Sequence, residues 1–256
     1  MSNFLQTIKH QIRRFFALFG IDIHRIKSAD FAFPSEATPF QKNSILKASK
    51  YSITGVNRMW ALTRAFEYIQ SNAIEGDYVE CGVWQGGNLI LLAALQDQVA
   101  ESRVIYGFDT FEGMTEPSQV DRDINGMLAS DLLAAAEKID GDSSIHVFAS
   151  LDLVNKNLVA NNAKNIKLVK GDVAETLLNE SNLPKKIAIL RLDTDWYEST
   201  KVELEVLYPL LQPGGVLIID DYGHFEGARK AVDEYFKEEI IWMEYIDYSC
   251  RLIIKR

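Results

Sequence analysis

The residues best suited to chemistry in this 256-residue chain lie between Ile187 and His224. Two very apolar stretches, IAILRL and GGVLII, each run into acid: Asp193 and Asp195 after the first, Asp220 and Asp221 after the second. Side chains alternate faces along a strand, so Asp193 and Asp195 leave the first stretch in the same direction. Asp220 and Asp221 are adjacent and converge only if the second strand ends in a turn, for which Tyr222-Gly223 is suited. If the two strands are parallel neighbours, up to four carboxylates collect at one lip of a sheet. Carboxylates that close repel one another unless something cationic sits among them, and an all-oxygen site suits a hard divalent ion such as magnesium or calcium. Acids after strands also serve as helix N-caps and turn formers. Two double-acid clusters after two buried strands favour the metal.

The elements that must position these acids follow a simple rhythm. Strands are expected at 78–82, 103–109, 166–170, 187–193 and 215–220, with helices between several of them, an alternation that implies a parallel, doubly wound α/β sheet. A helix is expected from about Asn57 to Ser71, with Met59, Leu62, Phe66 and Ile69 on one face. Near the end, IIWMEYI and CRLIIKR are joined only by Asp247-Tyr248-Ser249, a connection short enough to make them antiparallel partners. A mostly parallel sheet closed by a C-terminal antiparallel hairpin suggests the seven-stranded methyltransferase variant of the Rossmann plan over the six-stranded dinucleotide plan.

The first strand leads into YVECGVWQGGN, a strand, a tight turn and a helix start, where nucleotide-like cofactors sit in doubly wound folds. The glycines are Gly82, Gly86 and Gly87; Trp84 stands where a dinucleotide motif has its second glycine, and no Lys or Arg occurs between Glu80 and Leu95. A pyrophosphate would be poorly neutralised there. S-adenosylmethionine, with a sulfonium, an ammonium and no phosphate, fits an acidic glycine turn better, with Glu80 placing its methionine end. Gly82 and Gly87 equally suit plain strand-helix packing. Asp109 ends the second strand, where ribose hydroxyls are accepted in this architecture, and Asp172 closes the third within reach of an adenine. Each is also a reasonable turn acid, Asp172 more so.

About fifty residues separate Phe111 from Ile166, too many for an ordinary connection, and they read as a lid insertion at 111–165 carrying two helices, MLASDLLAAAEKI and LDLVNKNLVANNA. His146 within it reads as a surface residue. At the other end, Phe4, Leu5, Ile8, Ile12, Phe15, Phe16 and Phe19 form a helical stripe opposite Lys9, His10, Arg13 and Arg14. Such an arm suits peripheral contact with an anionic membrane face, docking on its own domain, or a homo-oligomer interface. Residues 28–50 read as a linker, and the division expected is an arm and linker over 1–45 and a catalytic domain over 46–256. Net charge of −9 argues against nucleic acid as the main partner, and two cysteines without metal or disulfide spacing suggest a reducing cytoplasm. No apolar run reaches the roughly 20 residues needed to span a bilayer, and no signal peptide is evident.

Together, GDYVECGVWQGGN, GFDTFEGM and LRLDTDWYESTKVELEVLYPLLQPGGVLIIDDYG resemble the macrocin O-methyltransferase family over roughly residues 50–240. The resemblance implies a class I methyltransferase fold and transfer of a methyl group, dependent on S-adenosylmethionine and Mg2+, to a sugar hydroxyl of a glycoside, glycan or natural product. By motif position it implies Asp193, Asp220 and Asp221 as magnesium ligands, Asp195 as the base, and Glu80 and Asp109 at the cofactor. His224 is the alternative base. Gln85 departs from the Arg common in the family's VWRGG motif, and Thr194 from the Gly often found between the two acids. The rival readings are a catechol-type metal-dependent O-methyltransferase, a metal-dependent hydrolase, which leaves the glycine turn and Asp109 without a task, and a glycan-associated scaffold with a decayed site.

Overall fold

The computed structural model describes residues 33–256, and the basic arm expected at the N-terminus lies outside them. Ala37–Arg256 forms one compact unit. Its first helix, α1 (Pro39–Ala48), replaces the linker expected over residues 28–50. Pro39 opens this helix: proline breaks a helix interior but is favoured in its first turn. Thr38 accepts from the Gln41 amide and Gln41 reaches back to the Thr38 amide, a capping box that starts the helix, while Ile45 and Ala48 bury its inner face.

In chain order there follow α2 (Val56–Ser71), β1 (Asp77–Cys81), α3 (Gly87–Gln96), β2 (Ile105–Asp109), α4 (Ala129–Ala135), α5 (Leu151–Ala160), β3 (Ile166–Lys170) and α6 (Val173–Thr176). The chain closes with β4 (Ile187–Leu192), α7 (Tyr197–Leu207), β5 (Leu211–Ile219), α8 (Glu226–Tyr235), β6 (Glu244–Tyr245) and β7 (Arg251–Ile254). The strands form one seven-stranded sheet in the order β3-β2-β1-β4-β5-β7-β6. It is parallel from β3 to β5 and antiparallel from β5 to β6. This is the mostly parallel class I methyltransferase sheet with its C-terminal hairpin. The hairpin is shorter than the apolar pattern suggests: in IIWMEYI only Glu244 and Tyr245 pair with β7, and Ile240 and Trp242 stay exposed.

Period-two alternation sorts the central strands into two faces. Val79, Cys81, Leu190, Leu192, Leu217 and Ile219 join the core under α7 and α8. Glu80 and Arg191 point the other way, toward the side of α2, and are direct neighbours across the β1/β4 ladder. On α2 itself Met59, Leu62, Phe66 and Ile69 are buried, as the helical spacing predicts. The carboxyl ends of β1 to β5 share one rim of the sheet; the opposite rim carries the exposed Lys186–Glu75 ion pair and the buried Arg103, which donates to the Ile74 and Gly76 carbonyls. Among the described residues no helix is long and apolar enough to cross a membrane.

Candidate active site

A cavity of about 440 Å³ opens along the carboxyl-end rim, within the range of small-ligand pockets. Gly82, Asn88, Asp109, Asp172, Asp193, Asp195, Asp220, Asp221 and His224 all line it. Glu80 lies behind this wall, 2% exposed.

The acids are organised around a cation already in the chain, one the sequence reading did not assign. Arg191 is 2% exposed. Its Nη1 donates to Glu80 Oε1 and to Asp193 Oδ2, each at 2.6 Å, and its Nη2 to Asp220 Oδ1 at 2.6 Å and to Thr54 Oγ1 at 3.1 Å. A guanidinium can serve three carboxylates in this way because its donors form a planar fork. Arg58, near the start of α2, takes the other Asp220 oxygen and donates to Asp247 Oδ2 at 2.8 Å. Burial works against the charge on both arginines, yet their carboxylate neighbours hold them above the ordinary guanidinium range.

Of the expected trio Asp193, Asp220 and Asp221, all three reach the cavity, and they are engaged differently. Both oxygens of Asp220 are committed to arginines, and the three acids whose ligand atoms lie within 4.8 Å of one another are Asp193, Asp195 and Asp221. Burial, and then mutual repulsion, pushes the Asp193 and Asp221 carboxyls well up; Asp195 is pushed up to about 7. Asp221 Oδ2 is buried without a hydrogen-bond partner. Hard oxygen donors, an unsatisfied buried acceptor and surplus negative charge fit a divalent ion. Asp195 has φ +68°, a left-handed conformation strained for most residues and tolerated by Asp. It is held from both sides. Thr194 donates its hydroxyl to buried Glu203 Oε1 at 3.0 Å, and the Trp196 amide donates to Thr194 O at 2.8 Å. Glu203 is pushed up to about 8 by burial. Thr194 lines the cavity with its hydroxyl engaged in this bond.

The other expected site residues have structural partners as well. Glu80 Oε1 accepts from Asn88 Nδ2 at 2.8 Å and from Arg191, while Glu80 Oε2 and Asn88 Oδ1 are buried acceptors with nothing donating to them. A cationic ammonium would supply the missing donors, so this corner, which Asn88 opens to the cavity, is a candidate for the methionine end of S-adenosylmethionine. Asp109 accepts from the amides of Val83 at 2.8 Å, Trp84 at 3.2 Å and Phe111 at 2.7 Å, so it shapes the glycine turn as well as lining the cavity. Gly82 has φ +80° and lies so close to Asp193 that a Cβ would come within 2.0 Å of the Asp193 carbonyl oxygen. Asp172 caps α6 through the Ala174 amide, the plainer of its two expected roles, with its residue still on the cavity wall. His224 packs edge-on against Phe225, its Nδ1 3.3 Å from the Tyr248 hydroxyl, and burial lowers its pKa.

The insertion is fastened at its base. Asp121 is fully buried; its carboxylate accepts from the Ser118 amide and hydroxyl at 2.7 Å and from the Tyr197 amide at 2.8 Å, capping α7 from a distance in sequence. The Arg122 carbonyl caps the Glu226 amide of α8 at 2.9 Å, and Trp196 Nε1 donates to Thr115 O at 3.1 Å. Farther along, Gln85 holds the insertion through Gly141 O at 2.7 Å, a use for the residue that departs from the family motif.

Comparisons with known proteins agree with this architecture. The profile of the macrocin O-methyltransferase (TylF) family matches residues 3–253. The 8-demethyl-8-(2,3-dimethoxy-alpha-L-rhamnosyl)-tetracenomycin-C 4'-O-methyltransferase of Streptomyces olivaceus is 32% identical over 195 residues, 72% of this chain and 67% of that protein. The demethyldecarbamoylnovobiocin O-methyltransferase of Streptomyces niveus is 29% identical over 73% of this chain and 68% of its own. The structure of the O-methyltransferase NovP superposes with a TM-score of 0.68 at 25% identity, covering 80% of this chain and 82% of that one. By family profile, relatives and sheet order together, this chain belongs to the macrocin O-methyltransferase family and is an S-adenosylmethionine-dependent O-methyltransferase.

Proposed function

We propose that this enzyme methylates a sugar hydroxyl of a glycoside, with a magnesium ion held among its rim carboxylates. The observation that carries the reading is the Asp193, Asp195 and Asp221 cluster on the wall of a cavity shared with the glycine turn. The names of the Streptomyces relatives, which give a rhamnosyl-tetracenomycin C and demethyldecarbamoylnovobiocin as acceptors, support a glycosidic acceptor.

When bound, S-adenosylmethionine supplies a methyl group on a good leaving group, and magnesium lowers the pKa of a hydroxyl it touches. The chain's own residues do the rest. Glu80 and Asn88 offer paired acceptors to the cofactor's ammonium, and Asp109 keeps the turn that receives it in shape. Asp193 and Asp221 would hold the ion. Arg191 and Arg58 clamp Asp220, and so fix the backbone from which Asp221 projects. Asp195 takes the acceptor proton, since its carboxylate lines the cavity beside Asp193 and Asp221. In-line placement is the main remaining requirement, and a rigid rim provides it.

Calorimetry with S-adenosylmethionine, with and without magnesium, tests the reading together with two variants. Asp195→Asn is expected to bind cofactor within about threefold of the parent and to lose at least about 100-fold in turnover, the scale of a lost general base. Asp193→Asn is expected to lose metal affinity as well. Unchanged cofactor binding and turnover with magnesium removed would overturn the metal assignment, and full activity of Asp195→Asn the assignment of the base.

A further inference from the structure

Tyr248 stands apart from the other cavity-lining residues. It is 54% exposed, an unusual state for an aromatic ring held in a fixed place, and it lines the same cavity as the acids. Its surroundings are rigid. Asp247 folds the hairpin loop by accepting from the Ser249 and Cys250 amides at 2.9 and 2.8 Å, and Arg58 pins Asp247 from outside. Ser249 donates its hydroxyl to Asp220 O at 2.7 Å, and the Gly223 amide donates to Ser249 O at 2.8 Å. A Cβ at Gly223 would lie 1.8 Å from the Tyr248 carbonyl oxygen, so the hairpin loop and the acid loop are packed backbone to backbone. Arg58 sits over the ring at 5.9 Å and His224 meets it edge-on at 5.8 Å. Exposed Ile53 lines the cavity too.

We infer that Tyr248 and His224 form the acceptor subsite, and that it takes an uncharged pyranoside: the C–H face of the ring stacks on Tyr248 and His224 Nε2–H donates to a ring substituent. The inference rests on the sugar reading above and deepens it. A pyranose is amphipathic in the way an exposed tyrosine is, with one face of C–H groups and a rim of oxygens, so an aromatic plane beside polar groups matches it on both counts. With the Tyr248 hydroxyl donating to Nδ1, the His224 proton sits on Nε2, making the ring a donor to the acceptor sugar and leaving the base role to Asp195. The loop packing fixes the Tyr248 backbone against the acid loop, so a sugar stacked on the ring lies beside the acids.

The test uses the full chain saturated with S-adenosylhomocysteine and magnesium, titrated with p-nitrophenyl rhamnoside, fucoside and glucoside and read by saturation-transfer NMR. The expected result is saturation concentrated on the C–H protons of one ring face for at least one glycoside, with Tyr248→Ala weakening binding about tenfold or more, as loss of an aromatic platform does, and Tyr248→Phe staying within about threefold. His224→Gln, which keeps a donor, is expected to bind nearer the parent than His224→Ala. A glycoside that binds the parent and Tyr248→Ala equally well overturns the inference and leaves the sugar reading standing. If S-adenosylhomocysteine binds and none of the glycosides does, the sugar reading itself falls, and the subsite with it.

Discussion

Arg191 shows how far a single side chain can organise a site. It is the one charged residue in the otherwise apolar IAILRL strand, and it feeds Glu80, Asp193 and Asp220 from below the cavity. That arrangement was legible in principle. An arginine buried in a central strand must meet carboxylates, and Asp193 lies two residues on, on the same face. The sequence reading saw the crowd of acids and assigned its neutralisation wholly to a metal; the structure divides it between two guanidiniums and a space suited to an ion. Replacing Arg191 with Met strands three buried or half-buried carboxylates. Urea unfolding is expected to show a loss of about 3–5 kcal/mol, the cost typical of breaking a buried ion pair from one side. The partners of Arg58 were out of reach of inspection, since Asp220 and Asp247 are 162 and 189 residues away in the chain.

Among the elements, the insertion departs most from expectation. A fifty-residue excursion between β2 and β3 reads as a lid, yet its first half acts as a brace: Asp121 caps α7 and the Arg122 carbonyl caps α8, the helices that begin just after the two acid loops. Asp121 Oδ1 also fills the space beside Gly227, where an added Cβ would approach to 1.8 Å. The brace thereby ties together the two helix starts that follow the loops of Asp195 and Asp221. In Asp121→Ala, magnesium affinity measured by calorimetry is expected to fall about tenfold while S-adenosylmethionine affinity stays within about twofold, because the glycine turn belongs to β1 and α3. Equal losses for both ligands would mean general unfolding rather than a lost brace; Asp121→Asn, which keeps the acceptor for the α7 amide, is expected to recover most of the metal affinity. Strand positions and helix α2 were readable because their apolar periods are strong. Helix α1 was not, because proline marks a loop as readily as a first helical turn, and only the Thr38/Gln41 capping box separates the two.

Taken together, the rim is a reservoir of carboxyl groups whose pKa values burial raises, and this gives the protein a characteristic response to acid. Asp195 titrates near 7 in the folded chain against 3.8 as its ordinary value, with Asp193 and Asp221 displaced in the same direction. Between those limits the native state holds a proton on Asp195 that the unfolded chain has released, so the Asp195 contribution to stability is complete below about pH 4 and is lost as pH rises through 7, with Asp193 and Asp221 acting in the same direction. Metal-free protein is therefore expected to gain less from this cluster at about pH 8 than at about pH 5.5, and magnesium to raise the melting temperature most at the higher pH, where ligand carboxylates are ionised. At a hundredfold excess over Kd the ion adds about 2.7 kcal/mol, readable by scanning calorimetry. A magnesium effect equal at both pH values would contradict this assignment of the protons. The one-sidedness of the sheet has a practical consequence. Since cofactor turn, acids, brace and tyrosine all crowd one edge, the Lys186–Glu75 edge offers an anchoring point where a fluorophore or surface tether can be attached with catalysis left undisturbed.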